Sequence, residues 1–333
     1  MTGASSNNNK KQKRTSQPES LEAEERTIIA DTETAGSVCL LLQALLPYTL
    51  FGQHHQQSRR LYKLILKGGT NASMAPQYDY FQYIFLPIVH ERMNIPSQNI
   101  RPVVKCRGYY PRGGGEVHVQ TKSLLDGDGS TSMLQCLTPL SLTERGDVSN
   151  ITIQTFYSGK CPKRVAIQTA NAAKQYLQQS YPSLPHAIQS QIIYHEHAVG
   201  SSSGILIVAT TTTGCKLGGS ALGSPKKHPK DVGIEAATEL CSTLKDGGCV
   251  DEYLQDQLII YMALAATKGG TSQMITGSLT LHTRTAIWIA EQLCGPNIEF
   301  QITKLDNEQD DDSEDENGRI PGRHLIQCKG IGI

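Results

Sequence analysis

Helical and extended patterns alternate along most of this chain, from about residue 34 to residue 328. Apolar residues recur at helical spacing in some segments and form alternating or short continuous runs in others, with glycine, proline or polar residues between them. Chains with this alternation build sheets with helices packed on them, so the sequence predicts an α/β (α+β) protein. The predicted helices are 34–50, 79–93, 163–180, 231–244, 251–266 and 285–294, and the predicted strands are 61–67, 103–107, 116–120, 151–156, 204–211 and 323–328.

Composition excludes several classes of protein. The chain has 333 residues, 38% of them hydrophobic, which suffices for one large core or two moderate ones. Basic and acidic residues balance at 31 each, so a polyanion must be held by a local cationic patch, and a histone-like binder is excluded. The apolar runs are too short to cross a bilayer, so we expect no membrane partner.

Nine cysteines are dispersed along the chain without a C-x-x-C pair, and their number is odd. This usage is typical of reduced cysteines inside an intracellular protein rather than of a disulfide framework. The start of the chain lacks an apolar signal core, which favours an unsecreted protein. The basic cluster at 10–14 is either a nuclear address or an ordinary feature of a polar tail.

Two segments are predicted to lie outside the folded core. Residues 1–26 are rich in polar and charged residues and contain few apolar ones, so burial cannot offset the entropy of ordering them. We expect a disordered tail there. Residues 306–317 carry eight carboxylates and no large apolar side chain, which predicts a solvated acidic loop before the last strand.

His282 lies where an alternating, strand-like stretch gives way to a helical run that Gly295 and Pro296 end. A neutral imidazole at the electropositive start of a helix can act as a nucleophile, and a phosphate that it attacks would meet free backbone N–H groups there. The alternative on this stretch alone is a strand-end histidine that makes one hydrogen bond.

Two glycine-rich stretches are candidate binding loops. In 66–76 a strand ends in two glycines and a polar turn, which would let backbone N–H groups approach a ligand. In 107–116, Arg107 and Arg112 stand beside two tyrosines and several glycines. Arginine suits phosphates and tyrosine stacks on bases, so single-stranded nucleic acid is a candidate occupant, with an ordinary glycine-rich hairpin as the alternative.

Polar residues on two predicted helices are candidates for binding a nucleotide. Tyr253, Asp256 and Gln257 share one edge of the helix 251–266, where a ring, a carboxylate and an amide could hold a nucleobase and a metal-bound phosphate. A solvated helix edge is the alternative. Gln43 lies within an apolar run, so its amide is either hydrogen-bonded in the core or a ligand contact.

Other common sites for metals and phosphates are not indicated. His195 and His197 could place two imidazoles on one face of a strand, but the sequence offers no third ligand at a suitable spacing. The sequence contains no G-x-x-x-x-G-K-[ST] phosphate loop, so ATP, if it is used, must be bound in another way.

Several motifs, in order from about residue 30 to the C-terminus, together resemble those of RNA 3'-terminal phosphate cyclases. They are Lys67-Gly68-Gly69-Thr70-Asn71 with Met74-Ala75-Pro76, Arg107-Gly108-Tyr109-Tyr110-Pro111 with Gly113-Gly114-Gly115-Glu116-Val117, Leu142-Thr143-Glu144-Arg145-Gly146, Asp251-Glu252-Tyr253-Leu254-Gln255-Asp256-Gln257-Leu258, Thr280-Leu281-His282-Thr283, and the ending Gln327-Cys328-Lys329-Gly330-Ile331-Gly332.

The resemblance implies a ligase-class nucleotidyl-transfer enzyme that uses ATP and a divalent metal, Mg²⁺ or Mn²⁺. Its substrate would be an RNA that ends in a 3'-phosphate, and its product a 2',3'-cyclic phosphate. His282 would attack the α-phosphate of ATP and form a histidine-bound AMP, which then passes to the RNA 3'-phosphate. The neighbouring 2'-hydroxyl would displace AMP and close the ring.

The resemblance also assigns roles to the candidate nucleotide-binding residues. Tyr253 and Pro76 would flank adenine, and Gln43 and Gln257 would form hydrogen bonds to the nucleotide. Asp256 would act near the phosphates and is the candidate metal ligand. We also expect Arg107 and Arg112 to bind phosphates of the RNA. This expectation comes from the chemistry of arginine and not from the resemblance.

The fold implied by the resemblance is that of the RNA 3'-terminal phosphate cyclase and enolpyruvyl transferase type, a large domain of three related βαβαββ units with a smaller α/β domain inserted before the last. We expect the second unit at 27–141, the insert at 142–246 and the last unit at 247–333. The family's first unit, which contributes active-site arginines, has no equivalent here. We therefore expect an exposed face on the remaining core.

Two alternatives belong to other functional classes. One is a cyclase-like ribosome-assembly protein that shares the fold without adenylylation, and His282 together with Tyr253, Asp256 and Gln257 argues against it. The other is a catalytically inactive RNA-binding module, which the unmatched first unit motivates. We expect the protein in the nucleus, with the cytoplasm as the alternative.

Overall fold

The structure is a computed structural model that describes residues 25–52, 61–124, 137–184, 188–265, 270–306 and 313–331. The strands are β1 (Glu25–Asp31), β2 (Leu61–Gly68), β3 (Ile100–Gly108), β4 (Gly115–Lys122), β5 (Ser141–Leu142), β6 (Val148–Ser158), β7 (Ile188–His195), β8 (Ala198–Val199), β9 (Ser203–Thr211), β10 (Lys216–Leu222), β11 (Ser272–Thr276), β12 (Glu299–Lys304) and β13 (His324–Lys329). The helices are α1 (Val38–Phe51), α2 (Tyr78–Tyr80), α3 (Leu86–Arg92), α4 (Lys163–Ser180), α5 (Pro229–Asp246), α6 (Glu252–Leu264) and α7 (Leu281–Cys294).

The first and last parts of the chain form sheets with the same strand order. β1, α1, β2, α2 with α3, β3 and β4 follow one another, and their strands lie in the order β1-β2-β4-β3, with the short β8 added beside β3. β5, α6, β11, α7, β12 and β13 repeat this path in the order β5-β11-β13-β12. In both sheets the first pair is parallel and the next two are antiparallel. The described chain therefore contains two βαβαββ units, and the predicted α/β fold class is confirmed.

The remaining sheet belongs to an insert between β5 and α6. Its strands lie in the order β10-β9-β6-β7, and α4 and α5 pack on it. β9 is buried almost throughout, as its continuous apolar run predicts. The insert follows β5 along the chain, and the last unit continues after it with α6.

Two hydrophobic cores correspond to this arrangement. One is shared by the two βαβαββ units and contains apolar residues of α1, α3 and α6. The other lies in the insert, and its buried members run from Ile151 to Leu244. The proposed domain limits at 27–141, 142–246 and 247–333 stay predictions. Among the described helices, none has the length and apolar character needed to cross a membrane.

Several segment ends differ from the sequence expectations; α1, for example, begins at Val38 and not at residue 34. α7 begins at Leu281 and not at residue 285, so the strand-like interpretation of the stretch before it is wrong. Residues 25 and 26, assigned to the tail, begin β1, and the rest of the tail lies outside the described residues. Residues 307–312 of the acidic loop lie outside them too.

Candidate nucleotide site

His282 is the second residue of α7 and is exposed to solvent. Thr280 caps the helix, because its hydroxyl accepts a hydrogen bond from the backbone N–H of Thr283 at 3.2 Å. The first N–H groups of a helix have no carbonyl partner within the helix, and they give its start a partial positive charge. The imidazole therefore lies beside groups that attract phosphate. The predicted position at a helix start is confirmed, although the helix starts earlier than expected.

Gln255, which the sequence analysis did not single out, holds the start of α7 in place. Its side chain is 2% exposed, and its Oε1 accepts hydrogen bonds from the Thr280 backbone N–H at 3.2 Å and the Thr283 hydroxyl at 2.9 Å. Its Nε2 donates to the Ser278 carbonyl at 3.4 Å. An amide on the buried face of an apolar helix was the available signal, since such a group must find partners.

Asp256 lies on α6, and its charge interacts with His282 on α7. Its Oδ1 atom is buried and has no hydrogen-bond partner among the described residues. Burial raises the pKa of this carboxyl to about 6, and the nearby His282 imidazole opposes the rise. A buried carboxyl oxygen without a partner is costly in a protein that binds nothing there, and it suits a place where a cation or a polar ligand supplies the partner.

Tyr253 and Gln257 lie on the same edge of α6 as Asp256. The Tyr253 ring is half-buried and meets the Tyr80 ring edge to face, with 5.7 Å between the centroids. Burial raises the pKa of Tyr253 to about 12, so its hydroxyl is neutral near pH 7. Gln257 Nε2 donates to the Tyr253 backbone carbonyl at 2.5 Å, which leaves its Oε1 as an acceptor for a ligand.

Gln43 and Pro76 come from the first βαβαββ unit. The Gln43 amide on α1 is half-buried and has no hydrogen-bond partner in the described part of the chain, so it is not a hydrogen-bonded core residue. Pro76 is buried in the loop that leads to α2. α2 in turn contacts α6 through Tyr80 and Tyr253. The nucleotide-binding roles of Gln43 and Pro76 stay predictions.

The glycine-rich stretch 66–76 uses its backbone groups inside the protein. The N–H of Gly69 donates to the Gly36 carbonyl at 2.7 Å, and the N–H of Thr70 donates to the Gly108 carbonyl at 2.9 Å. A Cβ atom on Gly108 would lie 2.1 Å from the Gly115 nitrogen, so glycine is needed for the backbones to approach. These two N–H groups are therefore occupied within the protein, and the expectation that the stretch approaches a ligand stays a prediction.

Arg107 and Arg112 have different surroundings. The guanidinium of Arg107 makes two hydrogen bonds to the Asp79 carboxylate, at 2.6 and 2.8 Å, and its side chain is only 12% exposed. Its carbon Cζ lies 5.2 Å from the centre of the Tyr78 ring. Arg112 is exposed in the turn between β3 and β4. Both RNA-binding assignments stay predictions, but the structure gives Arg107 a partner within the protein.

His195 belongs to the contact between the insert and the first unit. Its Nδ1 lies 2.5 Å from the Tyr109 hydroxyl, and its ring stacks on Phe156 with 4.8 Å between the centroids. Burial lowers the pKa of His195 to about 4, so the imidazole is neutral near pH 7. Across the described residues, no cluster of three or more histidine, cysteine or acidic side chains is arranged to hold a metal ion.

Comparison with known proteins identifies the family of this chain. The family model for RNA 3'-terminal phosphate cyclase matches residues 1–301. The chain belongs to the RNA 3'-terminal phosphate cyclase family. The motif resemblance that the sequence analysis found is thereby confirmed.

Individual members of the cyclase family match most of this chain. A probable RNA 3'-terminal phosphate cyclase of Dictyostelium discoideum is 36% identical over 306 residues, which are 91% of this chain and 63% of that protein. The RNA 3'-terminal phosphate cyclase of Drosophila melanogaster is 32% identical over 309 residues, 92% of this chain and 74% of that protein. The one from Desulfurococcus amylolyticus is 33% identical over 264 residues, 78% of this chain and 67% of that protein. The chain thus spans somewhat less than two thirds of the Dictyostelium relative.

Proposed function

We propose that the protein uses ATP to convert an RNA 3'-terminal phosphate into a 2',3'-cyclic phosphate, with His282 as the nucleophile that carries AMP. The observation that supports this most is that an exposed imidazole at the start of α7 lies near the Asp256 carboxyl on α6, one oxygen of which is buried without a hydrogen-bond partner among the described residues. The imidazole can attack a phosphate, and the carboxyl oxygen can bind a cation that neutralises the charge of that phosphate. Membership of the cyclase family supports the same reaction.

The reaction divides one difficult displacement into three steps. A lone pair of the His282 ring forms a bond to the α-phosphorus of ATP, and the bond from that phosphorus to pyrophosphate breaks. An oxygen of the RNA 3'-phosphate then attacks the AMP phosphorus and breaks the phosphorus–nitrogen bond. Finally the RNA 2'-hydroxyl attacks the terminal phosphorus, loses its proton and expels AMP.

The residues around His282 fit the nucleotide and a divalent metal. Tyr253 and Pro76 would enclose adenine, Gln43 and Gln257 would bind the nucleotide by hydrogen bonds, and Asp256 would hold Mg²⁺ or Mn²⁺. Oxygen ligands suit these cations, and the Asp256 oxygen without a partner is available as one, with ATP phosphates supplying others. The metal would supply charge that neutralises the phosphates. We also propose a nuclear location, based on the basic cluster at 10–14, which lies outside the described residues.

Labelling with ATP that carries a radioactive α-phosphate tests the proposal. In the presence of Mg²⁺ or Mn²⁺ we expect the protein to retain the label and the His282→Ala variant to lose it. His197→Ala is the matched control, because His197 is also exposed but lies in the insert. An unlabelled wild-type protein that still binds RNA would instead indicate an inactive RNA-binding module.

A further inference from the structure

A groove of about 320 Å³ lies between α4 and α5 on the surface of the insert. None of its lining residues belongs to the candidate nucleotide site. The wall on α4 is formed by Gln168, Asn171, Gln175, Tyr176 and Gln179, and Lys230 of α5 lies on the opposite side. The nucleotide chemistry at His282 gives this groove no role.

The bottom of the groove is formed by close packing of α4 against α5. A Cβ atom on Gly233 would lie 2.3 Å from the Thr169 carbonyl oxygen, so α5 approaches the α4 backbone directly at this point. Buried alanines continue the contact, among them Ala170 and Ala173. The Thr169 hydroxyl also donates to the Pro229 carbonyl at 3.1 Å. Longer side chains on either side of this helix–helix contact form the walls of the groove.

Four amides line the groove on α4. Gln168, Asn171, Gln175 and Gln179 are spaced by three or four residues and therefore share one face of the helix. All four are exposed, and none has a hydrogen-bond partner within the described ranges. An amide both donates and accepts, which matches the mixed donors and acceptors on the edges of nucleobases.

The charge around the groove is positive although the whole chain has no net charge. The 18 residues of α4 include Lys163, Arg164 and Lys174 and contain no carboxylate. On the facing side Lys230 adds a cation, and the carboxylates there are Asp231 and Glu235, of which Glu235 forms an ion pair with Lys227. Phosphates are attracted to such a local patch even when the overall charge is balanced.

We propose that this groove binds single-stranded RNA upstream of the 3' end that reacts. A single strand requires cations for its phosphates, amides for its base edges and an aromatic ring for stacking. The ring here is that of Tyr176, which is half-buried against the insert core and lines the groove with its remaining surface. An acidic peptide would pair with the lysines but would leave the tyrosine ring without a role. The inference rests on the proposed function for its direction, because it assumes that the 3' end lies at His282.

The position of the groove fits a substrate several nucleotides long. Lys230 and Asp246 lie at the two ends of α5, 16 positions apart, which is a rise of about 24 Å along the helix. Beyond Asp246 the chain turns at Gly247 and enters α6, which carries Tyr253 and Asp256. The Asp246 carboxylate accepts a hydrogen bond from the Ser278 hydroxyl at 3.4 Å, four positions before His282, so this end of α5 lies near the nucleotide site. An RNA of only a few nucleotides bound there would not reach the groove.

Binding of two RNA lengths to paired variants tests this inference. The probes are fluorescent single strands with a 3'-phosphate, one of about four and one of about twelve nucleotides, within the range that such surfaces cover. The groove variant is Gln175→Glu with Lys230→Glu. The control is Gln191→Glu with Lys105→Glu, which makes the same change in charge at exposed positions on β7 and β3.

We expect the groove variant to bind the longer RNA about tenfold more weakly at moderate salt, while the shorter RNA and the control variant are unaffected. Equal affinity of all three proteins for the longer RNA would overturn the inference, as would a wild-type protein that binds both lengths equally. The inference would also be overturned if an acidic peptide bound in the groove while the substitutions left the affinity for the longer RNA unchanged.

Labelling of His282 separates this inference from the proposed function. The histidine-bound AMP forms from ATP without RNA, so the groove variant should be labelled as fully as the wild type. A wild-type protein without label, whose RNA affinity still depends on Gln175 and Lys230, would refute the adenylylation and leave the groove as an RNA site.

Discussion

The Oε1 atom of Gln255 accepts a hydrogen bond from the Thr283 hydroxyl at 2.9 Å, and this bond joins the helix that carries Asp256 to the helix that carries His282. The same oxygen accepts from the Thr280 N–H at 3.2 Å. One buried amide therefore sets the position of the proposed nucleophile relative to the carboxyl beside it.

Replacing Gln255 by leucine should weaken both stability and labelling. The change leaves the Thr280 N–H and the Thr283 hydroxyl without their acceptor, which costs about 1–3 kcal/mol. We expect the free energy of unfolding in urea to fall by that amount and the rate of His282 labelling to fall about tenfold, since small displacements of reacting groups reduce rates strongly.

Gln255→Glu keeps an acceptor oxygen and should recover part of the labelling rate. Gln301→Leu, on the exposed side of β12, is the control for adding an apolar side chain. Labelling at the wild-type rate in Gln255→Leu would show that the amide does not position His282.

Asp256→Asn should make the protein more stable at neutral pH and less active. Burial raises the pKa of Asp256 from its ordinary value of 3.8 to about 6, so the folded state favours the protonated acid. The stability that this group contributes is present below pH 4 and is lost as the pH rises through 6. The asparagine variant should therefore gain on the order of 1 kcal/mol relative to wild type between pH 4 and pH 7, measured by urea unfolding. Labelling with ATP and metal should fall, and full labelling would exclude Asp256 from the site.

His195 should make the protein sensitive to acid. Burial lowers its pKa from the ordinary value of 6.5 to about 4, so its contribution to stability is present above pH 6.5 and is lost as the pH falls through 4. His195→Phe keeps a ring that can stack on Phe156 but cannot be protonated.

Between pH 7 and pH 4 we expect wild type to lose about 2–3 kcal/mol more unfolding free energy than His195→Phe. His197→Phe, at an exposed position two residues away, should retain the wild-type pH dependence. A parallel loss in wild type and His195→Phe would assign the acid sensitivity to other groups.

The two arginines of the β3–β4 hairpin should separate into a structural residue and an RNA-binding residue. Arg107→Lys loses one of the paired bonds to Asp79 and should destabilise the protein by about 2 kcal/mol. Arg112→Gln should leave stability unchanged, weaken RNA binding and reduce the slope of log affinity against log salt by about 0.7. An unchanged salt slope in Arg112→Gln would remove Arg112 from the RNA path.

The sequence predicted the parts of the fold that local patterns determine. The helix predicted at 163–180 spans those residues in the structure, because its apolar spacing is regular over five turns. The start of α7 was missed because Leu279, Thr280, Leu281 and His282 alternate as a strand does, while the Thr280 side chain caps a helix.

Contacts between distant residues could not be read from the sequence. The partner of Arg107 is Asp79, 28 positions earlier, and the acceptor of the Gly69 N–H is Gly36 in a different loop. A glycine-rich motif has the same composition whether its N–H groups bind a ligand or another loop. The edge formed by Tyr253, Asp256 and Gln257 was predictable because it depends only on helical spacing within α6.

The shared strand order of the two βαβαββ units has a consequence for how reactivity is distributed. After the second strand of each unit a helix begins, and its second residue is Asp79 in one unit and His282 in the other. Asp79 is neutralised by Arg107 and shielded from solvent, whereas His282 is open to solvent. The same position in the two units therefore holds side chains of opposite availability. In the first unit Asp79 is tied up in a buried ion pair, and in the last unit the imidazole of His282 is accessible for reaction.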